Sequence, residues 1–178
     1  LILRFLTITM DQLSGGGPGH HDTAVLRGEA AVALNPTSAM AHQALGLVLG
    51  RAGRSEEALS HITQAIRLSP RDLFLPGFLA LGSVSLFALG RYEDALDWAT
   101  RSSRSPNPRP LSFIIATAAL NKLGRDKAAA DTLAGFLAHS PISSVQKLRG
   151  FLEWNFPLSA EINEQCIIAL RKAGLPEK

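Results

Sequence analysis

The residue with the greatest intrinsic reactivity in this chain is its only cysteine, Cys166. A catalytic thiol needs a neighbouring base or cation, because the thiolate is the nucleophile. Cys166 is followed by Ile167 and Ile168, and no histidine or asparagine stands at a recognisable catalytic spacing from it. We therefore predict a buried structural thiol rather than a nucleophile.

A second chemically active group is the run His20-His21-Asp22, whose side chains are all of types that bind metals. Consecutive side chains point in different directions, so they do not readily converge on one ion. Asp22 is more simply interpreted as the N-cap of a helix that begins at Thr23. We therefore expect neither a metal nor another cofactor.

Paired carboxylates could act as a general acid and base, and two such pairs are present, Glu56-Glu57 and Glu93-Asp94. Both pairs fall at equivalent places in the repeated segments described below. Acidic residues at such places favour the N-terminus of a helix through its dipole, so we interpret them as helix-start residues. With no catalytic constellation left, the sequence predicts a protein that is not an enzyme.

Two stretches resemble functional segments only in composition. Residues 14–19, SGGGPG, could suggest a phosphate-binding loop, but the Gly-Lys-Ser/Thr that opens the following helix in such loops is missing. We predict a flexible loop there. Residues 73–90 carry no charge and reach the length of a membrane span. Because this stretch contains Pro76, Gly77 and Gly82, we interpret it as a buried solenoid helix and expect no membrane contact.

Six basic residues cluster in the sequence with only Asp126 opposing them: Arg101, Arg104, Arg109, Lys122, Arg125 and Lys127. A phosphate-rich or acidic partner is one interpretation, but no aromatic residues are interleaved for base stacking. The net charge of +3 also falls short of the footprint of a nucleic-acid-binding domain. We therefore predict a solvated convex rim and no nucleic-acid partner.

The composition sets the class of protein that must position these residues. The chain has 178 residues, of which 46% are hydrophobic, 19% charged and 6% aromatic. This length predicts one domain, or two at most, and the hydrophobic content argues against disorder. Alanine and leucine replace the missing aromatics, which favours helices. One cysteine precludes an internal disulfide and suits a reducing compartment, so we expect a cytoplasmic protein.

Apolar stretches of helical length recur along the chain, separated by similar segments that begin with glycine. The segment GRSEEAL at residues 53–59 returns as GRYEDAL at 90–96 and, in weaker form, as GRDKAAA at 124–130. The glycines that open these segments are 37 and 34 residues apart. One helix is predicted before each glycine and a second one after it.

This pattern resembles the tetratricopeptide repeat, a pair of antiparallel helices that recurs about every 34 residues. With units numbered from Ala39, Pro76 and Pro110, the small positions 8 and 20 are filled by Gly46, Ser83 and Thr117 and by Ala58, Ala95 and Ala129. His42 at the large position 4 and Phe136 at the small position 27 depart from the family pattern. The resemblance implies an all-α, right-handed α-solenoid of antiparallel helix pairs.

The resemblance also divides the chain. Residues 1–21 form a poorly defined segment that ends in the glycine-rich loop, and 22–38 form a half repeat. Full repeats are predicted over 39–72, 76–109 and 110–143. Residues 144–178 are predicted to hold two capping helices, because a solenoid needs a terminal unit with a polar outer face.

The residues at the predicted helix ends agree with this division into repeats. N-caps are predicted within residues 35–38 and at Ser55 and Ser159. Glycines that can adopt a positive φ are predicted to end the first helix of each pair: Gly53, Gly90 and Gly124.

In tetratricopeptide arrays, the first helices of the pairs line a concave groove. Carrying the family's groove positions over to this chain gives Gln43, Leu47, Arg51, Val84, Phe87, Leu111, Ile114, Asn121 and Lys122. This surface is apolar in the middle and lacks the lysines and asparagines with which some members hold a C-terminal carboxylate. The resemblance implies a protein-interaction scaffold that binds a partner helix or extended peptide. An upstream domain of a parent protein or a second copy of the chain are the alternative occupants.

A narrower resemblance involves GRYEDAL, the preceding residues 69–90 and the ending LRKAGLPE at 170–177. They look similar to the C-terminal repeat module of bacterial class III adenylate cyclases and winged-helix regulators, whose output domain lies upstream. Too few residues precede Asp22 for such a domain. The chain begins with Leu1 rather than Met, which fits a fragment, a processed chain or an unusual start. The resemblance implies an alternative function, the regulatory C-terminal part of a cyclase or transcriptional regulator.

Overall fold

The computed structural model describes residues 18–106, 108–138, 140–155 and 159–178. These residues form nine α-helices and no strand. The helices are α1 (Pro18–Leu34), α2 (Ala39–Arg51), α3 (Ser55–Leu68), α4 (Leu75–Ala88), α5 (Tyr92–Ser103), α6 (Pro110–Lys122), α7 (Asp126–Leu137), α8 (Val145–Asn155) and α9 (Ala160–Lys172).

Helices α2 to α7 form three pairs, α2–α3, α4–α5 and α6–α7, each joined by a short turn. The second helix of a pair packs on the first helix of the next pair, and α1 packs on α2. In such a solenoid each unit buries its apolar face against its neighbours rather than in one central core. The all-α solenoid expected from the sequence is therefore the observed fold.

Small residues allow the helices of a pair to approach closely. The alanines at the predicted small position are fully buried: Ala58, Ala95 and Ala129. A Cβ atom added to Gly46 would lie 2.7 Å from Cδ1 of Ile62, so even alanine would force a shift there. A Cβ atom added to Gly82 of α4 would collide with the ring of Trp98 on α5. The predicted reason for small residues at the helix crossings is thus confirmed.

The first helix of each pair ends as predicted. Gly53, Gly90 and Gly124 have φ angles of 77°, 73° and 70°. The N–H of the following residue then donates to the carbonyl five residues earlier, as Arg54 does to Leu49 at 2.9 Å. This Schellman-type closure satisfies a carbonyl that would otherwise lack a partner at the helix end.

The predicted N-caps are correct at two places and wrong at one. Ser38 and Ser159 each accept a hydrogen bond from the backbone N–H three residues later. Ser55 is the first residue of α3 rather than its cap. Arg54 stands at the cap position without a capping hydrogen bond, and its guanidinium pairs with Glu57 at 2.6 Å instead.

The start of α1 also differs from the expectation. Since α1 begins at Pro18, Pro18 and Gly19 are helical rather than part of a loop, and Asp22 lies inside the helix rather than at its N-cap. The fixed φ of proline suits the first turn of a helix. The rest of the predicted loop and the segment before it, residues 1–17, lie outside the described residues, as do the side chains of His20 and His21.

The uncharged stretch 73–90 forms α4, whose residues from Phe78 to Phe87 are all buried in the solenoid. The interpretation as a buried solenoid helix is therefore confirmed. Within the described part of the chain, no helix combines the length and apolarity needed to cross a membrane.

Candidate functional site

The groove residues predicted from the repeat register lie on α2, α4 and α6, and we call this surface the groove face. On α2, Gln43 and Leu47 are half-buried, and Leu47 packs against the main hydrophobic cluster. Arg51 is only 7% exposed, and its Nε and Nη1 atoms have no hydrogen-bond partner. Burial lowers the pKa of Arg51 to about 10, because the charged form loses solvation. The α2 part of the groove face thus combines partly accessible apolar and amide groups with a buried cation.

The α4 and α6 parts of the groove face are covered. Val84 and Phe87 on α4 are 8% and 2% exposed, and Leu111 and Ile114 on α6 are fully buried. These residues share one hydrophobic cluster with side chains of α8 and α9. Helix α9 packs directly on α6, so the α6 part of the surface expected to receive a partner is occupied here by the C-terminal part of the same chain.

Helix α9 crosses α6 near the end of α6. The side-chain Nδ2 of Asn121 donates to the backbone oxygen of Ala169 at 3.2 Å. Lys172 at the end of α9 forms an ion pair with Asp126 at the start of α7, with 2.7 Å between Nζ and Oδ1. Cys166 is fully buried, as predicted, and burial raises the pKa of its thiol to about 12. Asn121 thus stands at a groove position and binds a backbone, but the backbone is that of α9.

Lys122 lies at the polar edge of the α6 part of the groove face. Its Nζ lies 5.9 Å from the centre of the Tyr92 ring, within the range of a cation–π contact. The Tyr92 ring in turn packs against Phe87, with 5.3 Å between ring centres. The rim of the groove face is therefore tied to the preceding helix pair.

The C-terminal tail closes on the start of α8. The N–H groups of Val145 and Gln146 donate to the backbone oxygens of Pro176 and Glu177 at 2.8 and 3.4 Å. These N–H groups belong to the first turn, where a helix offers them no acceptor. Leu175 between them and α9 is buried in the main hydrophobic cluster. Helices α8 and α9 and the tail thus form one closed unit.

A cavity of about 510 Å³ lies where α9 begins. Val84 and Phe87 of α4, Gly50 of α2, and Ile162 and Gln165 of α9 contribute to its wall. The volume falls within the ~300–1,000 Å³ typical of ligand sites. The groove face is therefore incompletely filled at this end of α9.

A histidine pair between α2 and α3 is a feature that the sequence analysis missed. The Nδ1 atoms of His42 and His61 are 2.9 Å apart, and the rings stack with 5.2 Å between their centres. Nε2 of His42 lies 3.0 Å from the carbonyl oxygen of Pro36, so a proton on Nε2 leaves Nδ1 to accept from His61. Desolvation, followed by the charge of His42, lowers the pKa of His61. His42, which departs from the family pattern, is thus paired with His61. The presence of a second histidine in the same repeat was the sequence signal for this pair.

The second departure, Phe136, has a similar explanation. Its ring packs on that of Phe113, the large residue at position 4 of the same repeat, with 5.6 Å between the ring centres. The described residues contain no group of three histidine, cysteine or carboxylate side chains that could hold a metal ion.

The acidic pairs stand at helix starts, as interpreted from the sequence. Glu57 binds Arg54, and Glu93 of α5 binds Arg125 of the next turn, each with an ion-pair distance of 2.6 Å. All four side chains are exposed by 42% or more. These carboxylates are therefore structural partners of arginines.

The six clustered basic residues do not form one patch. Three lie before or at the start of α6 and three at or after its end: Arg101, Arg104 and Arg109, and Lys122, Arg125 and Lys127. A helix of the length of α6 separates the two sets by ~20 Å along its axis.

No protein-family model and no curated protein matches the sequence. Solved structures match its fold. PilF of Pseudomonas aeruginosa gives a TM-score of 0.68 at 18% identity, over 97% of this chain and 76% of that one. TTC0263 of Thermus thermophilus, described as a thermophilic TPR protein, gives 0.67 at 17% identity over 96% and 100%. YrrB, described as a TPR protein with an unusual peptide-binding site, gives 0.58 at 17% identity over 87% and 77%.

These structures are similar to the chain over most of its length, and the likeness is one of fold. The chain is therefore an α-solenoid of the tetratricopeptide type. The broader resemblance read from the repeated GR segments is confirmed at the level of the fold.

Proposed function

We propose that the chain is a non-catalytic protein-interaction scaffold whose groove face binds a helix or peptide of a partner. The observation that supports this is α9 itself, an amphipathic helix seated on the face through apolar side chains and the bond from Asn121 to Ala169. Recognition of a helix in a groove uses such a row of apolar anchors. YrrB, which is similar in fold, is described as having a peptide-binding site.

The first contacts of a partner are proposed on α2. Met40, Gln43 and Leu47 are all half-buried there, and the cavity lined by Val84 and Phe87 lies beyond them. The amide of Gln43 can both donate to and accept from a peptide backbone. Apolar side chains of the partner would then fill the cavity.

A non-catalytic role without a cofactor suits the state of the reactive groups. The thiol of Cys166, with its pKa raised to about 12, stays protonated near neutral pH. Glu57 and Glu93 are held by arginines at exposed helix starts, and His42 and His61 bind each other between α2 and α3. Each of these groups has a structural role that accounts for its position.

We also propose the repeat boundaries 39–72, 76–109 and 110–143, preceded by a half repeat over 22–38. The three helix pairs match these bounds, except that α4 begins one residue early, at Leu75, and α1 begins before residue 22, at Pro18. The proposed location is the cytoplasm, since the only cysteine is buried and unpaired. Cell fractionation with an antibody against the chain would check the location.

The alternative function, a regulatory fragment of an adenylate cyclase or transcriptional regulator, rests on the segments GRYEDAL and LRKAGLPE. In that case the covering partner would be an upstream domain of the parent protein. Sequencing the DNA upstream of the codon for Leu1 tests it, because an in-frame output domain must be encoded there.

Selection of helical peptides from a display library against the full chain tests the proposed function. We expect amphipathic helices to be enriched, and their affinity to fall at least tenfold for Leu47→Asp and for the milder Gln43→Arg. Ser60→Asp, an exposed residue on α3, is the matched control and should bind like the native chain. Equal binding to all variants of unchanged helical content, or no enriched peptide, would refute the groove.

A further inference from the structure

The regular stacking of the solenoid ends at α7. In a fourth repeat, α8 would lie against α7 as α6 lies against α5. Among the described residues, α8 does not pack closely on α7, and α9 packs on α6 and on α8 instead. The C-terminal hairpin therefore turns back onto the groove face rather than extending the array.

Helix α9 presents one apolar row to the solenoid. Ile162, Cys166 and Leu170 recur at four-residue intervals and are at most 8% exposed. Ile167 widens the same face, whereas Ile168 on the other side is 54% exposed. Residues four apart on a helix share a face, and this spacing is the one that a groove recognises in a partner helix. Helix α9 thus occupies the groove face in the manner of a bound helix.

The interface between α9 and the array contains unpaired polar atoms and unfilled space. The Oδ1 atoms of Asn121 on α6 and Asn163 on α9 are buried without a hydrogen-bond partner. A buried acceptor without a donor loses its water and gains nothing in return. The cavity of about 510 Å³ beside Ile162 adds unfilled space at the other end of the interface.

Among the described residues, the polar contacts that hold α9 to the array are few and partly exposed. The ion pair between Lys172 and Asp126 leaves both side chains more than half exposed, so water and salt screen it. A second ion pair, Arg149 with Glu164, joins α9 to α8 and so stays within the C-terminal unit. The contacts that must break for α9 to leave are therefore mainly the apolar row and the bond from Asn121.

We propose that α9 is an internal occupant of the groove face, and that the partner is an amphipathic helix that replaces it. Such a helix would present apolar side chains at i, i+4 and i+8, like Ile162, Cys166 and Leu170, and a donor for the unpaired Oδ1 of Asn121. This inference rests on the proposed function and adds its regulation, because the scaffold stays closed until a matching helix competes with α9. A ligand shifts such an equilibrium only by its preference for the open state.

Cys166 reports this exchange, because the only thiol of the chain lies on the buried row of α9. The experiment labels the full chain with a thiol reagent near neutral pH, with and without a synthetic peptide of residues 159–176 in which Cys166 is serine. We expect saturating peptide to raise the labelling rate at least tenfold, with the far-ultraviolet circular dichroism of the array retained. A peptide of the same length carrying Ile162→Asp and Leu170→Asp is the control and should leave the rate unchanged.

Two outcomes would overturn the inference. One is a labelling rate that the peptide does not change. The other is labelling that begins only at the urea concentrations that unfold the whole chain, since α9 would then have no separate open state. Neither outcome decides the proposed function, because displayed peptides could still bind the α2 part of the groove face while Cys166 stays unlabelled.

Discussion

The side-chain amide of Asn121 donates a hydrogen bond to the backbone carbonyl of Ala169 across 3.2 Å, and this bond fixes where α9 crosses α6. In Asn121→Ala, we expect a loss of ~1 kcal/mol in the free energy of unfolding, the net value of one such bond. Labelling of Cys166 should become several-fold faster at the same time. Urea titration and thiol labelling measure the two effects. Thr132→Ala, which removes a local bond on the exposed side of α7, should leave the labelling rate unchanged.

The thiol of Cys166 should be inert in the folded chain across the range in which ordinary thiols react. Its pKa is raised to about 12 from an ordinary value of 9.0, so the folded chain keeps its proton where the unfolded chain loses it. The folded state therefore binds more protons between these values, and its stability falls as the pH rises through that window. Urea unfolding of the native chain and of Cys166→Ala at several alkaline pH values should show a steeper loss for the native chain. An equal loss of stability with rising pH in both proteins would contradict a raised pKa of Cys166 in the folded chain.

Gly82→Ala should destabilise the α4–α5 pair, because the new methyl group collides with the ring of Trp98. Overpacking of this kind typically costs about 1–3 kcal/mol. Gly77→Ala in the same helix is the matched control, because a Cβ atom there meets nothing within 4 Å. The control should be neutral or gain up to about 1 kcal/mol from helix propensity. Thermal melting of both variants measures the contrast, and equal melting temperatures would refute the close approach.

Ser102→Ala should weaken the junction between the second and third helix pairs. The Ser102 hydroxyl donates to the carbonyl of Pro76 and accepts from the hydroxyl of Ser112, each at 2.6 Å. Its removal takes the acceptor from the buried Ser112 hydroxyl and one donor from the half-buried carbonyl of Pro76, at about 1–3 kcal/mol. Ser103→Ala, next in sequence and bonded only to the local carbonyl of Thr100, should cost less. Urea titration of the two variants measures the loss in the free energy of unfolding. A larger loss for Ser103→Ala than for Ser102→Ala would contradict the role of Ser102.

The pair of His61 and His42 should make the stability of the chain depend on pH. The pKa of His61 is lowered from its ordinary value of 6.5, chiefly by desolvation and next by His42, against the opposing charges of Glu57 and Glu29. Below that value the unfolded chain takes up a proton that the folded chain resists, so stability is lost as the pH falls. The melting temperature of the native chain should therefore drop more between about pH 7 and pH 5.5 than that of His61→Gln. An equal drop in both would contradict the linkage.

The sequence predicts the array well because its signals are local. Gly53, Gly90 and Gly124 stand where only a residue tolerant of positive φ closes the turn, and all three do so. Gly46 and the alanines at position 20 mark helix crossings that admit nothing larger. The prediction of Ser55 as an N-cap was wrong, because the helix starts one residue earlier. Arg54 stands at the cap position and binds Glu57.

The position of α9 could not be predicted in the same way. The spacing of Ile162, Cys166 and Leu170 shows which side of the helix is buried, but a hydrophobic pattern does not name the surface that buries it. The repeat register ends before α8, and it therefore gives no guide to where the hairpin packs. The register places Val84, Phe87, Leu111 and Ile114 on one face, and the structure shows that face covered. Their role in binding a partner stays a prediction.

The order of the helices in the sequence has a consequence for the synthesis of the chain. The groove face on α4 and α6 is complete when Lys122 has been made, whereas its cover begins at Ala160. At ~5–20 residues per second, the ribosome leaves this apolar face without its own helix for roughly 2–8 s. A partner or chaperone that acts on the nascent chain therefore meets the face open, before α9 competes for it.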